Sequence, residues 1–205
     1  MLKNLYLIRH GETEYNRLGM VQGRGIDADL NERGRKQAKW FFEAYQHLPI
    51  EKVFISTLKR TEQTVSDFLK KGIPYEKHEG LDEISWGIHE GKPFDKDAHK
   101  EYLYYVKQWR MGNTHLTLPE GETPEQVKAR QTDFTKILLE SPEKNILICS
   151  HGRAMRILLA WWLNYPLSQM DIFQHHNLSL YHLQYTGSMF RVIRHNDRRH
   201  LQSLE

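Results

Sequence analysis

Short apolar runs punctuate this chain, and each stops abruptly on polar residues or glycine. Leu5-Tyr-Leu-Ile8 runs into Arg9-His10-Gly11, Val53-Phe-Ile55 into Ser56-Thr57, and Asn145-Ile-Leu-Ile-Cys149 into Ser150-His151-Gly152. Unalternating runs of this length predict strands covered on both faces. Tyr75 to His78 is a weaker strand candidate. Between the runs the apolar spacing turns helical. Asn31 is placed to cap a helix over Glu32 to His47, with Ala38, Phe41, Phe42, Tyr45 and Leu48 on its apolar positions. Leu58 to Lys71 repeats the pattern through Val65, Phe68 and Leu69, and Gly72 is positioned to stop it. Thr123-Pro124-Glu125-Gln126 combines a cap, a first-position proline and a capping box, and predicts a helix to about Glu140. A further helix is expected from Gly152 through Leu163. Ser179 to Tyr185 and Phe190 to His195 flank Thr186-Gly187-Ser188 as a closing hairpin.

Alternating strands and helices predict a three-layer α/β/α sandwich with a mainly parallel sheet. Ile84 to Leu118 breaks the rhythm. It is aromatic and charged, and is read as a partly helical insertion over the sheet edge that covers the active site. No repeat or linker composition divides the chain, so residues 1–205 are expected to form one domain.

Composition narrows the class. A 205-residue chain with 39% hydrophobic and 11% aromatic residues can bury a sizeable core without disulfides, and disorder is not expected. One cysteine, Cys149, forbids an internal disulfide, and its apolar strand makes it an inert buried thiol. A net charge of +3 indicates neither a nucleic-acid nor a membrane partner. The opening segment is too short and charged for a secretion signal, and Ile157 to Leu167 is too short to span a bilayer. The expectation is a cytoplasmic protein, monomer or homodimer.

Two of the strands end in histidine followed by glycine, at His10 and His151. Ligands of open α/β sheets sit beyond the carboxyl ends of the strands, so parallel strands would bring both histidines to one crevice. The strand Val53 to Ile55 leads to Arg60 one helical turn further on. Arg9, Arg60 and two imidazoles offer hydrogen-bond donors without a fixed acceptor. That combination favours phosphate or carboxylate.

Leu7-Ile-Arg9-His10-Gly11-Glu12-Thr13-Glu14-Tyr15-Asn16 resembles the Arg-His-Gly signature of the histidine phosphatase superfamily, in the branch that includes cofactor-dependent phosphoglycerate mutases. The resemblance continues in order through Gln22-Gly23-Arg24, Leu30 to Ala38, Ser56 to Thr64, Leu81 to Gly91, Gly121-Glu122-Thr123 and Ser150-His151-Gly152. It implies His10 as the nucleophile that accepts a phosphoryl group and Glu83 as the acid and base. It also implies phosphate contacts from Arg9, Thr13, Asn16, Gln22, Gly23, Arg60, His151 and Gly152. Phosphoryl transfer rests on positioning and charge stabilisation, so these cations suit a mechanism with no metal and no cofactor.

The segment Leu81-Asp82-Glu83-Ile84-Ser85-Trp86-Gly87 is closer to broad-specificity phosphatases than to mutases of the family. The implied function is hydrolysis of a small phosphorylated metabolite. The alternatives are a phosphoglycerate mutase using a bisphosphoglycerate cofactor and an inactive scaffold that binds phosphorylated ligands. Arg153 departs from the small residue common in relatives. It is expected to face solvent, or else to select a second acidic group on the substrate. Tyr102, Tyr104, Tyr105 and Trp109 line a substrate cap or simply pack the insertion. His175-His176 lack companion ligands at metal spacing, and the basic stretch Arg191 to His200 reads as a solvated hairpin and tail.

Overall fold

The computed structural model describes residues 2–92 and 96–204. Six strands form one sheet: β1 (Lys3–Arg9), β2 (Lys52–Ile55), β3 (Tyr75–Lys77), β4 (Asn145–Ser150), β5 (Leu180–Tyr185) and β6 (Phe190–Asp197). Their order is β3-β2-β4-β1-β5-β6. β3, β2, β4 and β1 run parallel to one another, while β5 is antiparallel to both β1 and β6. The helices are α1 (Glu14–Arg17), α2 (Glu32–Tyr45), α3 (Lys59–Lys70), α4 (Lys96–Arg110), α5 (Pro124–Glu140) and α6 (Gly152–Trp162).

Side-chain parity along the central strands builds the three layers. Leu5 and Leu7 of β1, Phe54 of β2 and Ile146 and Ile148 of β4 pack with Val127, Phe134 and Leu138 of α5 and Met155 and Leu158 of α6. The alternate residues Tyr6, Ile8, Val53, Ile55, Leu147 and Cys149 pack with Phe41 and Tyr45 of α2 and Val65 and Phe68 of α3. Both faces are therefore covered, which is why these strands carry no polar alternation. Full burial of each such side chain contributes about 1.5–3 kcal/mol relative to exposure.

Register decides what meets at the strand ends. Ile8 lies opposite Cys149 and Arg9 opposite Ser150, while Ile55 is also opposite Cys149. The His10 amide donates to the Ser150 carbonyl at 3.0 Å, so the two His-Gly exits leave the sheet side by side.

The caps act as the sequence reading requires. Asn31 Oδ1 accepts from the Gly34 amide at 2.8 Å, and Thr123 forms a reciprocal box with Gln126 ahead of Pro124. Gly72 takes φ of +80° beyond α3, a left-handed stop that glycine adopts without strain.

Several boundaries differ from expectation. α2 ends at Tyr45 rather than His47 and α6 at Trp162, while β1 begins at Lys3 and β6 extends to Asp197. α1 went unread because four residues are too few for an apolar stripe. Its signal is local, a capping box between Thr13 and Asn16. β3 is an exposed edge strand paired to β2 alone, which accounts for its weak apolar pattern.

The insertion is partly helical, with a 3₁₀ turn over Gly87–His89 and α4, and its residues Pro93 to Asp95 lie outside the described residues. It lies over the strand ends, where the site is expected. Trp86, His89, His99, Tyr102 and Leu118 share a cavity with Arg9 and Gly152. No described helix is long and apolar enough to cross a membrane.

Candidate active site

Three side chains crowd the exits of β1, β2 and β4. His10 is 3% exposed, and Arg60 and His151 are fully buried. The His10 and His151 rings lie 5.0 Å apart between centroids, tilted by 54°. His10 Nδ1 lies 2.7 Å from the Gly11 carbonyl, which can only accept. Nδ1 must therefore carry the proton, and Nε2 keeps its lone pair. Burial, followed by Arg60 and Arg9, pushes the His10 pKa well below its ordinary value. The ring is neutral.

Arg60 is the second residue of α3, whose N-cap Leu58 follows directly from the β2 exit. Its Nε donates to His151 Nδ1 at 3.1 Å, Nη1 to the Ile26 carbonyl at 2.6 Å and Nη2 to the Gly23 carbonyl at 3.3 Å. With Nδ1 accepting, the His151 proton sits on Nε2, which meets Ser56 Oγ at 2.7 Å. Burial first and Arg60 second hold His151 neutral as well. Burial also lowers Arg60 itself to about 10, opposed by Glu83, so the guanidinium stays charged at neutral pH.

Glu83 closes the site from the opposite side. Its Oε1 accepts from the Ile84 and Ala154 amides, both at 2.9 Å, and Oε2 from the Arg153 amide at 3.1 Å. Two of those amides belong to the first turn of α6, where helical N–H groups lack partners of their own. Arg130 fixes the backbone here, donating to the Asp82 and Glu83 carbonyls at 3.0 Å each. Glu122 in turn anchors Arg130 at 3.1 Å and takes the Ser85 amide at 2.9 Å.

Beside these groups opens a cavity of about 500 Å³, within the range of small-molecule sites. Arg9, Asn16, Gln22, Glu83 and Gly152 line it from the β1 and β4 exits, with Trp86, Tyr102, Arg153, Arg156 and His175 among the rest. Arg9 Nε, Gln22 Nε2 and Arg156 Nε are buried without a hydrogen-bond partner. All three are donors around one cavity. Buried donors need acceptors, and several converging on one cavity suit an anion.

The residues singled out in the sequence thus gather at one place but by different routes. Arg9, Asn16, Gln22, Glu83 and Gly152 face the cavity, whereas His10, Arg60, His151, Thr13 and Gly23 are not among its lining residues. Thr13 is fully buried, and its hydroxyl donates to Gln22 Oε1 at 2.7 Å while capping α1. It reaches the site by orienting Gln22. Gly23 offers Arg60 a carbonyl, and a Cβ there would come within 2.0 Å of Glu90 Oε1.

Arg153 overturns the expectation of solvent exposure. It is 5% exposed, with Nη1 on Asp171 Oδ1 at 2.5 Å and Nη2 on the Tyr102 hydroxyl at 3.0 Å. Its guanidinium lies 5.9 Å from the Trp86 ring and 5.4 Å from the Trp109 ring. α6 turns this position inward, and the insertion covers it. Tyr102 lines the cavity and Trp109 is core, while Tyr104 is exposed.

The sequence did not single out Asn177 or Arg156, and weighed His175 only as a metal ligand. His175 Nδ1 lies 3.5 Å from Arg9 Nη1, and burial followed by Arg9 lowers its pKa to about 2. Asn177 Nδ2 donates to the His10 carbonyl at 2.9 Å and Asn16 Oδ1 at 3.1 Å, tying the β5 approach to the β1 exit. Neither lies in a periodic segment. Arg156 does stand one turn beyond Arg153 on α6, and that spacing was the available signal.

A three-layer α/β fold with arginines and imidazoles lining a cavity at its parallel strand ends has the donors that an anion site needs. The family model of the histidine phosphatase superfamily (branch 1) matches residues 5–198, and the chain belongs to that superfamily. It is 32% identical over 163 residues to a Hydrogenobacter thermophilus protein bearing a phosphoserine phosphatase name, covering 77% of each. A mouse protein named fructose-2,6-bisphosphatase TIGAR is 36% identical over 137 residues, 63% of this chain and 48% of its own length. A Caenorhabditis elegans 6-phosphofructo-2-kinase/fructose-2,6-bisphosphatase is 32% identical over 172 residues, and the match spans 36% of that longer protein. Among solved structures, the alpha-ribazole phosphatase from Shigella flexneri superposes with a TM-score of 0.82 at 25% identity, over 95% of this chain and 96% of its own. The phosphatase class expected from the sequence is the class these relatives carry.

Proposed function

We propose that the protein hydrolyses the phosphate monoester of a small metabolite through a phosphohistidine at His10, with arginines in place of a metal. The observation that carries this reading is the neutral His10 ring, with Nδ1 tied to Gly11 and Nε2 left as the nucleophilic nitrogen, beside a cavity whose arginine and glutamine donors lack partners.

Arg9, Arg60, Asn16 and Gln22 hold the phosphoryl oxygens, and His151 exchanges Ser56 for one of them. His10 Nε2 forms the bond to phosphorus as the ester P–O bond breaks. The departing oxygen keeps that electron pair and takes a proton from Glu83 Oε2. In the second half, the Glu83 carboxylate takes a proton from water, whose oxygen attacks phosphorus and releases His10 and inorganic phosphate. Fixed cations and helix amides act where charge develops, which is where such groups contribute most to rate.

The test is rapid quench with labelled substrate in the presence of EDTA. Label is expected on His10, stable in alkali and lost in acid, and absent from His10→Ala. His10→Ala should lose about 10⁴-fold or more in kcat, as removal of a nucleophile does. Loss of activity in EDTA, restored by a divalent ion, would defeat the metal-free mechanism. Isomerisation of 3-phosphoglycerate without phosphate release would favour a mutase instead.

A further inference from the structure

The far wall of the cavity holds more positive charge than the phosphoryl chemistry uses. Arg153 and Arg156 stand three residues apart on α6 and present one face. Both donate to the same oxygen, Asp171 Oδ1, at 2.5 and 2.6 Å, while Arg110 Nε takes Oδ2 at 3.0 Å. Three guanidinium groups thus share one carboxylate. Asp171 cannot neutralise them, and Arg156 Nε remains buried without a partner. Burial and the neighbouring Arg153 both depress the Arg156 pKa, as expected for a cation short of counter-charge. A buried cation with incomplete pairing is expensive unless something else completes it.

The wall and the phosphoryl subsite stand on different elements of one cavity. Arg60 and His151 belong to the β2 and β4 exits, where Gly23, Ile26 and Ser56 hold them. Arg153 is pinned between Trp86, Trp109, Tyr102 and Asp171, so it cannot swing toward His10 without breaking that set. Rigid, partly paired arginines favour a planar or tetrahedral oxyanion, because their donors are already oriented.

We propose that Arg153 and Arg156 form a second anion subsite, so that preferred substrates carry a carboxylate or second phosphate besides the transferred phosphoryl group. This rests on the phosphatase reading above and specifies its substrate class. Rejection of singly anionic esters follows from the same residues, since their neutral ends leave the buried arginines uncompensated.

The experiment compares kcat/KM for matched pairs differing in the second anion: glycerol 3-phosphate with 3-phosphoglycerate, phosphoethanolamine with phosphoserine, and fructose 6-phosphate with fructose 1,6-bisphosphate. The doubly anionic member of at least one pair should be favoured about tenfold or more, chiefly through KM, the size expected of one or two charge-assisted hydrogen bonds. Arg153→Gln and Arg156→Gln should each collapse that ratio to about twofold or less, and Arg156→Lys should restore part of it. Should Arg153→Gln fail to fold, Arg156→Gln carries the test, since its side chain is 24% exposed. No preference in any pair, or a preference that survives in the folded glutamine variants, overturns the inference. Inertness of the wild type toward every compound, p-nitrophenyl phosphate included, would bring down the phosphatase reading and this inference with it.

Discussion

The floor and the far wall of the cavity are both rich in cations, yet they are built differently. The floor is made where β1, β2 and β4 stop, and its polar groups are locked to backbone carbonyls and to one another: His10 to Gly11, Arg60 to Gly23 and Ile26, and His151 to Arg60. The wall is assembled from α6, the turn carrying Asp171 and the insertion, through side chains far apart in sequence. Backbone-held groups keep their geometry when a ligand leaves, which suits chemistry. A wall of side-chain pairs changes with each residue that joins it, which suits selection. The same fold can therefore keep one reaction and alter its substrate.

After loss of the nucleophile itself, the largest expected effect concerns Glu83. Glu83→Gln should slow phosphorylation of His10 by an alkyl phosphate about 10²–10⁴-fold, the contribution of a positioned general acid. The loss should be much smaller for p-nitrophenyl phosphate, whose leaving group needs no proton. Rapid quench must follow the first half-reaction, because Glu83 also serves the second. Equal losses for both esters would reduce Glu83 to a structural clamp on α6.

A pH series separates buried floor from open pocket. His10, His151 and His175 are held neutral mainly by burial and then by arginines, so their folded pKa values lie below the unfolded value near 6.5. Below that pH the unfolded chain binds more protons than the native one. Unfolding free energy should therefore be level above about pH 6.5 and fall below it, by up to about 1.4 kcal/mol per pH unit for each ring. Urea denaturation at pH 7.5 and 5.5 measures this. Equal stabilities would place the rings in water.

Arg60→Ala should lower kcat/KM by about 1.5–3 kcal/mol in transition-state terms, the worth of hydrogen bonds to a charged group. Both KM and kcat should suffer, since the guanidinium meets charge before and during transfer. Unchanged kinetics would remove Arg60 from the floor. The smallest effect is expected in the wall. Tyr102→Phe deletes the hydroxyl that accepts from Arg153 and should cost about 0.5–1.5 kcal/mol of stability by thermal or urea unfolding. A null result would mean that Trp86, Trp109 and Asp171 suffice to hold Arg153.

The parts of this protein legible in its sequence are those with local causes. Strands covered on both faces write continuous apolar runs, and Asn31, Thr123 and Gly72 mark helix ends because caps act within a few residues. Two His-Gly exits from parallel runs sufficed to place His10 and His151 together, and ordered family motifs added Arg60 and Glu83. Arg153 shows where that legibility ends. Nothing near position 153 states that Trp86, Tyr102, Trp109 and Asp171 will close around it, since those partners arrive from the insertion and from the turn after α6. His175 and Asn177 were silent for the same reason, lying in an aperiodic segment that folds back on the β1 exit. Sequence alone therefore determined the sheet, its helices and the strand ends that carry the two histidines. Tertiary packing decided which cations face the cavity, because burial and pairing depend on contacts that no local pattern encodes.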